Sequence, residues 1–263
     1  MFASHALLKS IGIVSFLGIG YSLIGSFLIL PFLLEKIFAP VPNPAGQFVI
    51  GSKEHIRRTL LRYRHMPGYP RVFAHCKMTM DPMFGELDRY VKNPRRIIDI
   101  GSGYGIPAAW LLEIYPDAKV FGLEPDEGRV LIANRAIGQR GFVQAGSAPD
   151  LPSVDGSGDY VTMLDMLHYI NDEELLLVLR RIHEKLEAGG TLLIRATVPS
   201  DQKVPWKRWI EMIRLKLTNN NFFFRREKEI AGLMLNAGFA VDVQASTVRG
   251  VEEKWFMGKK QEH

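Results

Sequence analysis

The sequence predicts an α/β fold, a mostly parallel sheet with helices on both faces, and three observations predict it. Arg96-Ile97-Ile98 is a short apolar run of the kind that makes a buried parallel strand. It leads into Asp99-Ile-Gly101-Ser-Gly103-Tyr-Gly105, a glycine turn, and then into Pro107-Ala-Ala-Trp-Leu-Leu-Glu113, which reads as the first turns of a helix. Lys119-Val-Phe-Gly-Leu-Glu124 is a second strand ending in an acid, 21 residues after Gly103. Strand, glycine turn and helix start together form a site for an anion and a ribose. The turn is tight, and only glycine lets a ligand approach its backbone closely.

The spacing separates two readings of this turn. A dinucleotide fingerprint, G-x-G-x-x-G, would put its third glycine at Ile106. Here it falls at Gly105, and an acid precedes the run. This D-x-G-x-G-x-G pattern resembles motif I of the class I S-adenosylmethionine (SAM) methyltransferases, and the resemblance covers roughly residues 78–258. Further segments carry it in order: Phe142-Val-Gln-Ala-Gly-Ser147 as a third strand; Asp159-Tyr-Val-Thr-Met-Leu-Asp165-Met-Leu-His168-Tyr169 after strand four; Leu186-Glu-Ala-Gly189-Gly190-Thr-Leu-Leu-Ile194 as helix end, Gly-Gly turn and strand five; and Ala237-Gly238-Phe239 leading into strand six.

The resemblance implies a Rossmann-like seven-stranded sheet of order 3-2-1-4-5-7-6 and SAM as cofactor. It carries cofactor binding onto Asp99, Gly101, Ser102, Gly103, Gly105, Glu124, Pro125, Ser147, Ala148, Asp165 and Met166. Asp99 would mostly order the loop, and Glu124 would hold the ribose hydroxyls. At Ser147 the chain departs from the aspartate often found in the family. Three regions are expected: residues 1–38 as a membrane anchor, 39–90 as a linker and basic amphipathic helices, and 91–263 as the methyltransferase domain, with a lid insertion at about 200–226.

Bulk properties bound the rest. With 263 residues, 47% apolar and 23% charged, the chain is globular rather than disordered. The one cysteine, Cys76, excludes an internal disulfide and a thiolate-rich zinc site, and the seven histidines show no metal-ligand spacing, so no metal is expected. A net charge of +5 suits an anionic partner. Arg57, Arg58, Arg62, Arg64 and Arg71 follow the apolar N-terminus, and no nucleic-acid module is present, so anionic lipid headgroups are the expected partner and nucleic acid is not. Lys53–Met66 reads as a basic helix with Ile56, Leu60 and Tyr63 on one side. That is the composition of an interfacial helix, or of one packed on the enzyme domain.

From Ile11 to Leu34 there is no charged residue, a run of 24, where a bilayer core needs about 20. A single transmembrane helix is the expectation. A cleaved signal peptide or a shallow hairpin is the alternative. Lys9 alone precedes the run, whereas Lys36, Lys53, Arg57 and Arg58 follow it, so the positive-inside rule puts the catalytic domain in the cytoplasm.

For methyl transfer the protein must hold a nucleophile in line and keep water out. His168, after strand four, is the candidate general base for a hydroxyl or ammonium acceptor. Tyr169, Arg195, Trp206 and Trp209 are candidates for the acceptor pocket. Arg195 would pair with an acceptor carboxylate or phosphate, and the two tryptophans lie on an apolar stripe at helical spacing with Ile210, Ile213 and Leu217. The segment His75–Phe84 would fold over the cofactor. The expected function is methylation, at oxygen before nitrogen, of a lipid-linked or otherwise hydrophobic small molecule at the cytoplasmic membrane face. A soluble acid or phenol as acceptor and a non-catalytic scaffold are the alternatives.

Overall fold

Side chains alternate across a strand, and this alternation divides the core in two. The computed structural model describes residues 3–29, 48–198, 223–248 and 252–260. Its seven strands are β1 (Arg96–Ile100), β2 (Lys119–Glu124), β3 (Gly141–Ala145), β4 (Gly158–Leu164), β5 (Leu186–Thr197), β6 (Phe239–Ala245) and β7 (Glu253–Lys260). They form one sheet of order β3-β2-β1-β4-β5-β7-β6, as expected. Pairing is parallel from β3 to β5, and antiparallel where β7 joins β5 and β6.

Ile97, Val120, Val143, Leu193 and Trp255 point to one face, while Ile98, Val161, Leu192, Ile194 and Phe256 point to the other. The first face is covered by α2 (Lys53–Leu61), α3 (Gly68–Met80), α4 (Met83–Tyr90), α5 (Ile106–Ile114) and α6 (Glu127–Ile137). The second is covered by α7 (Asp172–Lys185) and α8 (Glu227–Asn236). Strands β1 and β4 are neighbours whose connections leave to opposite sides. This is the switch point where an open α/β sheet forms its ligand crevice, at the carboxyl ends of the strands.

The N-terminal helix α1 (Ala3–Ile24) continues into a π-helical turn, Gly25–Ile29. From Ile11 onwards it carries no charged residue, and Ile13, Val14, Phe16, Leu17, Ile19, Tyr21, Leu23 and Phe27 are exposed. Among the described residues, however, no helix is long and apolar enough to cross a membrane. The expected transmembrane helix is therefore not what the structure shows. The rest of the expected span, from residue 30, lies outside the described residues, as do most of the linker and the lid insertion with Trp206 and Trp209.

Between its two readings, the basic helix takes the second. Leu60 and Tyr63 are buried against the domain, and the Tyr63 hydroxyl donates to the Tyr104 carbonyl at 3.0 Å. Arg62 binds Glu113 at 2.6 Å and the Ala136 carbonyl at 2.9 Å. A face already filled with protein is not available to lipid.

His55 is the innermost polar group of α2. Its Nδ1 accepts from the Gly51 N–H, and its Nε2 lies 3.2 Å from the Trp110 carbonyl, which makes Nε2–H the neutral tautomer. The ring lies 3.6 Å from the Trp110 ring. Burial lowers its pKa from 6.5 to about 4. The unfolded chain therefore takes up this proton first. The stability due to His55 is complete above pH 6.5 and is lost as pH falls towards 4, by about 3 kcal/mol in all. Urea unfolding between pH 7.5 and 4.5 should show this loss, and His55→Asn should flatten that part of the pH dependence. An unchanged slope would contradict the assignment.

Candidate functional site

The glycine turn after β1 is shaped by three left-handed glycines, Gly101, Gly103 and Gly105, with φ of 79°, 55° and 71°. Two of them also have no room for a side chain. A Cβ on Gly105 would lie 3.0 Å from Ala133 of α6, and one on Gly101 would lie 3.1 Å from Met166. The turn is tied to β2 through the Gly101 and Ser102 N–H groups, both donating to the Leu123 carbonyl at 2.8 and 3.1 Å. Glu124 closes the arrangement. Its Oε2 accepts from Gly103 N–H at 2.9 Å, its Oε1 from Asp126 N–H at 3.3 Å, and Arg129 stands 3.7 Å away. A buried carboxylate held by two backbone donors keeps its remaining lone pairs for hydroxyl donors.

A cavity of about 670 Å³ opens over these elements. Gly101, Gly103, Glu124, Pro125, Ser147, Ala148, Asp165, Met166 and Tyr169 line it, and all were expected from the sequence. Asp99, Ser102 and Gly105 were also expected but stand behind it as supports. The Ser102 hydroxyl donates to the Asp99 carbonyl at 2.9 Å, and the Asp99 Oδ1 accepts from Thr162 at 2.7 Å. Burial holds the Asp99 carboxyl above the usual carboxylate range, only partly opposed by the Thr162 and Ser102 hydrogen bonds. Arg129 and Glu174, at the mouth, escaped the sequence reading. Each lies in the first turn of the helix that follows its strand, and only the docking of α6 and α7 brings it to the opening. The size and the donor set suit a nucleoside cofactor. Among the described residues, no cluster of His, Cys, Asp or Glu could hold a metal ion.

One expectation requires correction. Arg195 does not wait for an acceptor anion. Its guanidinium is 3% exposed and binds Asp165 at 2.6 and 2.8 Å and Asp81 at 2.8 and 3.3 Å. Lys77 bridges the same two carboxylates at 2.5 and 3.1 Å. Two cations and two anions leave no net charge. Burial alone would raise the Asp81 pKa, but Arg195 and Lys77 outweigh it and the pKa is lowered. Burial would likewise lower that of Lys77, but Asp165 and Asp81 raise it. The segment His75–Phe84 does meet the pocket wall, through this network.

His168 is not among the residues that line the cavity. It lies in a 3₁₀ turn, Leu167–Tyr169, where successive side chains diverge by about 120°. Tyr169 therefore faces the cavity. The His168 ring lies 4.0 Å from the Tyr169 ring and 6.1 Å from that of Phe224, nearly parallel to the latter.

Replacing Arg195 by Met strands two carboxylates. It should cost about 3–5 kcal/mol in urea unfolding, with part recovered in Arg195→Met/Asp81→Asn. A loss below about 1 kcal/mol would show that the network contributes little.

A family model for the methyltransferase domain matches residues 75–244, more than half of the chain. The chain is 27% identical over 197 residues to phenazine O-methyltransferase PhzM of Lysobacter antibioticus, covering 70% of this chain and 55% of that protein. It is 26% identical over 148 residues to the malonyl-[acyl-carrier protein] O-methyltransferase of Legionella pneumophila subsp. pneumophila, covering 56% and 51%. It thus spans about half the length of these relatives. The structure of human N-acetylserotonin methyltransferase in complex with SAM superposes with a TM-score of 0.57 at 17% identity, covering 74% of this chain and 57% of that one, a likeness of fold. Glycine turn, acid after β2, sheet order and family match agree: the chain belongs to the methyltransferase-domain family, and its cofactor is SAM.

Proposed function

We propose that this SAM-dependent methyltransferase methylates a hydroxyl oxygen of a hydrophobic, lipid-linked or lipid-like small molecule at the cytoplasmic face of a membrane. The observation that carries the membrane part is α1, a helix without a charged residue from Ile11 onwards and with large apolar side chains exposed. Such a surface is costly in water and favourable at a lipid face. Oxygen as acceptor rests on the two relatives named O-methyltransferases and on a histidine at the carboxyl edge of β4.

Each part of the site has a role in this reading. When bound, SAM would supply a methyl carbon already activated by its sulfonium. The turn Gly101–Gly105 cradles the amino-acid portion, and Glu124 accepts from the ribose hydroxyls. Asp165, fixed by Arg195, forms the wall next to the reacting end. His168 takes the proton that the acceptor hydroxyl loses. Its ring faces Phe224, on the side of the 200–226 insertion to which the sequence assigns the acceptor. Trp206 and Trp209, which lie outside the described residues, stay acceptor-pocket candidates on the sequence pattern alone.

Calorimetry with SAM should show a 10- to 100-fold weaker Kd for Glu124→Ala, the loss expected when a charge-assisted hydrogen-bond acceptor is removed. His168→Ala should lower kcat about 10²- to 10⁴-fold with SAM affinity retained, as for loss of a general base. The acceptor class is tested with radiolabelled SAM and the full chain in vesicles. The chain is given either a total membrane lipid extract or a soluble hydroxyphenazine. The proposal expects label in the lipid phase, and much less of it after deletion of residues 1–29. Label only in the soluble phenol, equal with and without those residues, would replace the lipid-face reading by that of a soluble acceptor.

A further inference from the structure

Arg225 is 5% exposed, although it directly follows an exposed Phe-Phe pair. Its guanidinium reaches back to the turn that carries His168. Nη1 donates to the Leu167 carbonyl at 2.9 Å, Nη2 to the Ile170 carbonyl at 2.5 Å, and Nε to Asp172 at 2.6 Å. The two residues before it hold the same turn: Phe223 N–H donates to the His168 carbonyl at 2.9 Å, and the Phe224 ring lies at 10° to the imidazole plane. Left to itself the turn is weakly held. It is three residues long and has no side-chain cap, and its closing hydrogen bonds measure 3.1 and 3.3 Å.

We propose that Arg225 is a positioning residue for His168. Its rigid fork holds the carbonyls on either side of the histidine and so sets where the imidazole stands at the rim of the site. The inference rests on the reading of His168 as the group that takes the acceptor's proton. A planar guanidinium presents its donors in a fixed fork that holds two carbonyls and a carboxylate in one geometry, whereas the three donors of a lysine ammonium radiate from a single rotatable atom. A displacement of about 1 Å at the imidazole can cost 10²-fold in rate.

The test uses the full chain in detergent micelles with saturating SAM and histidines labelled with carbon-13 at Cε1. The His168 signal is assigned by its loss in His168→Gln. In Arg225→Lys the His168 signal and its titration midpoint should move, while the other six histidines and SAM affinity stay as in wild type. Asp172→Asn, at an exposed position, should produce a smaller shift in the same direction, and it serves alone if Arg225→Lys does not fold. An unmoved His168 signal overturns the inference. So does a change spread over all the histidines with a tenfold loss of SAM affinity, which would make Arg225 a support of the whole fold. Turnover of whichever acceptor takes up label in the vesicle assay, measured for wild type, His168→Gln and His168→Gln/Arg225→Lys, separates the underlying reading. His168→Gln and the double variant should share one residual kcat, whereas full kcat in His168→Gln would remove the base role whatever the spectra show.

Discussion

One guanidinium, that of Arg195, sits where three parts of the molecule meet. It projects from the carboxyl end of β5, grips Asp165 on the wall of the cofactor cavity, and grips Asp81 at the end of α3. A buried cation is stable only if neutralised and hydrogen-bonded, so the N-terminal helices must lie across the sheet for Arg195 to be tolerated there. The constraint propagates. Arg195 also lies over the Trp255 ring at 5.8 Å, and the Trp255 Nε1 donates to Glu86 of α4 at 2.6 Å. Glu86 accepts further from Ser246 and Thr247. Burial would raise the Glu86 pKa, but these hydrogen bonds outweigh it and hold the group below its ordinary value. A single polar chain thus runs from the cavity wall to the turn between β6 and β7.

The site has two halves built by different means. The cofactor half is mostly backbone: the glycine turn, the β2 carbonyl that receives it, and one carboxylate fixed by two N–H groups. Such a half is precise because each part belongs to a strand or to the turn next to one. The opposite side is made of side chains brought from a distance, through α3, the 3₁₀ turn and Phe223–Arg225, and its shape depends on how these segments dock rather than on the sheet.

Much of the fold was legible in the sequence because its signals are local. The run Asp99–Gly105, the acid at 124 and the apolar strands each declare themselves within a few residues, and the family resemblance they carry led to the sheet order, the cofactor and about half of the cavity lining. The amphipathic face of Lys53–Met66 was equally legible, but not what would cover it. Tertiary structure decided that, through Trp110 and Tyr104. It also decided the part played by Arg195. A charged residue at a strand end is the same in sequence whether it awaits a ligand or is already neutralised, and its partners Asp81 and Asp165 lie 114 and 30 residues away. The facing of His168, set by a 3₁₀ turn and a distant arginine, was likewise beyond local reading. Periodicity and turn chemistry reside in neighbouring residues, whereas burial of charge and the aim of a side chain exist only once distant segments are packed together.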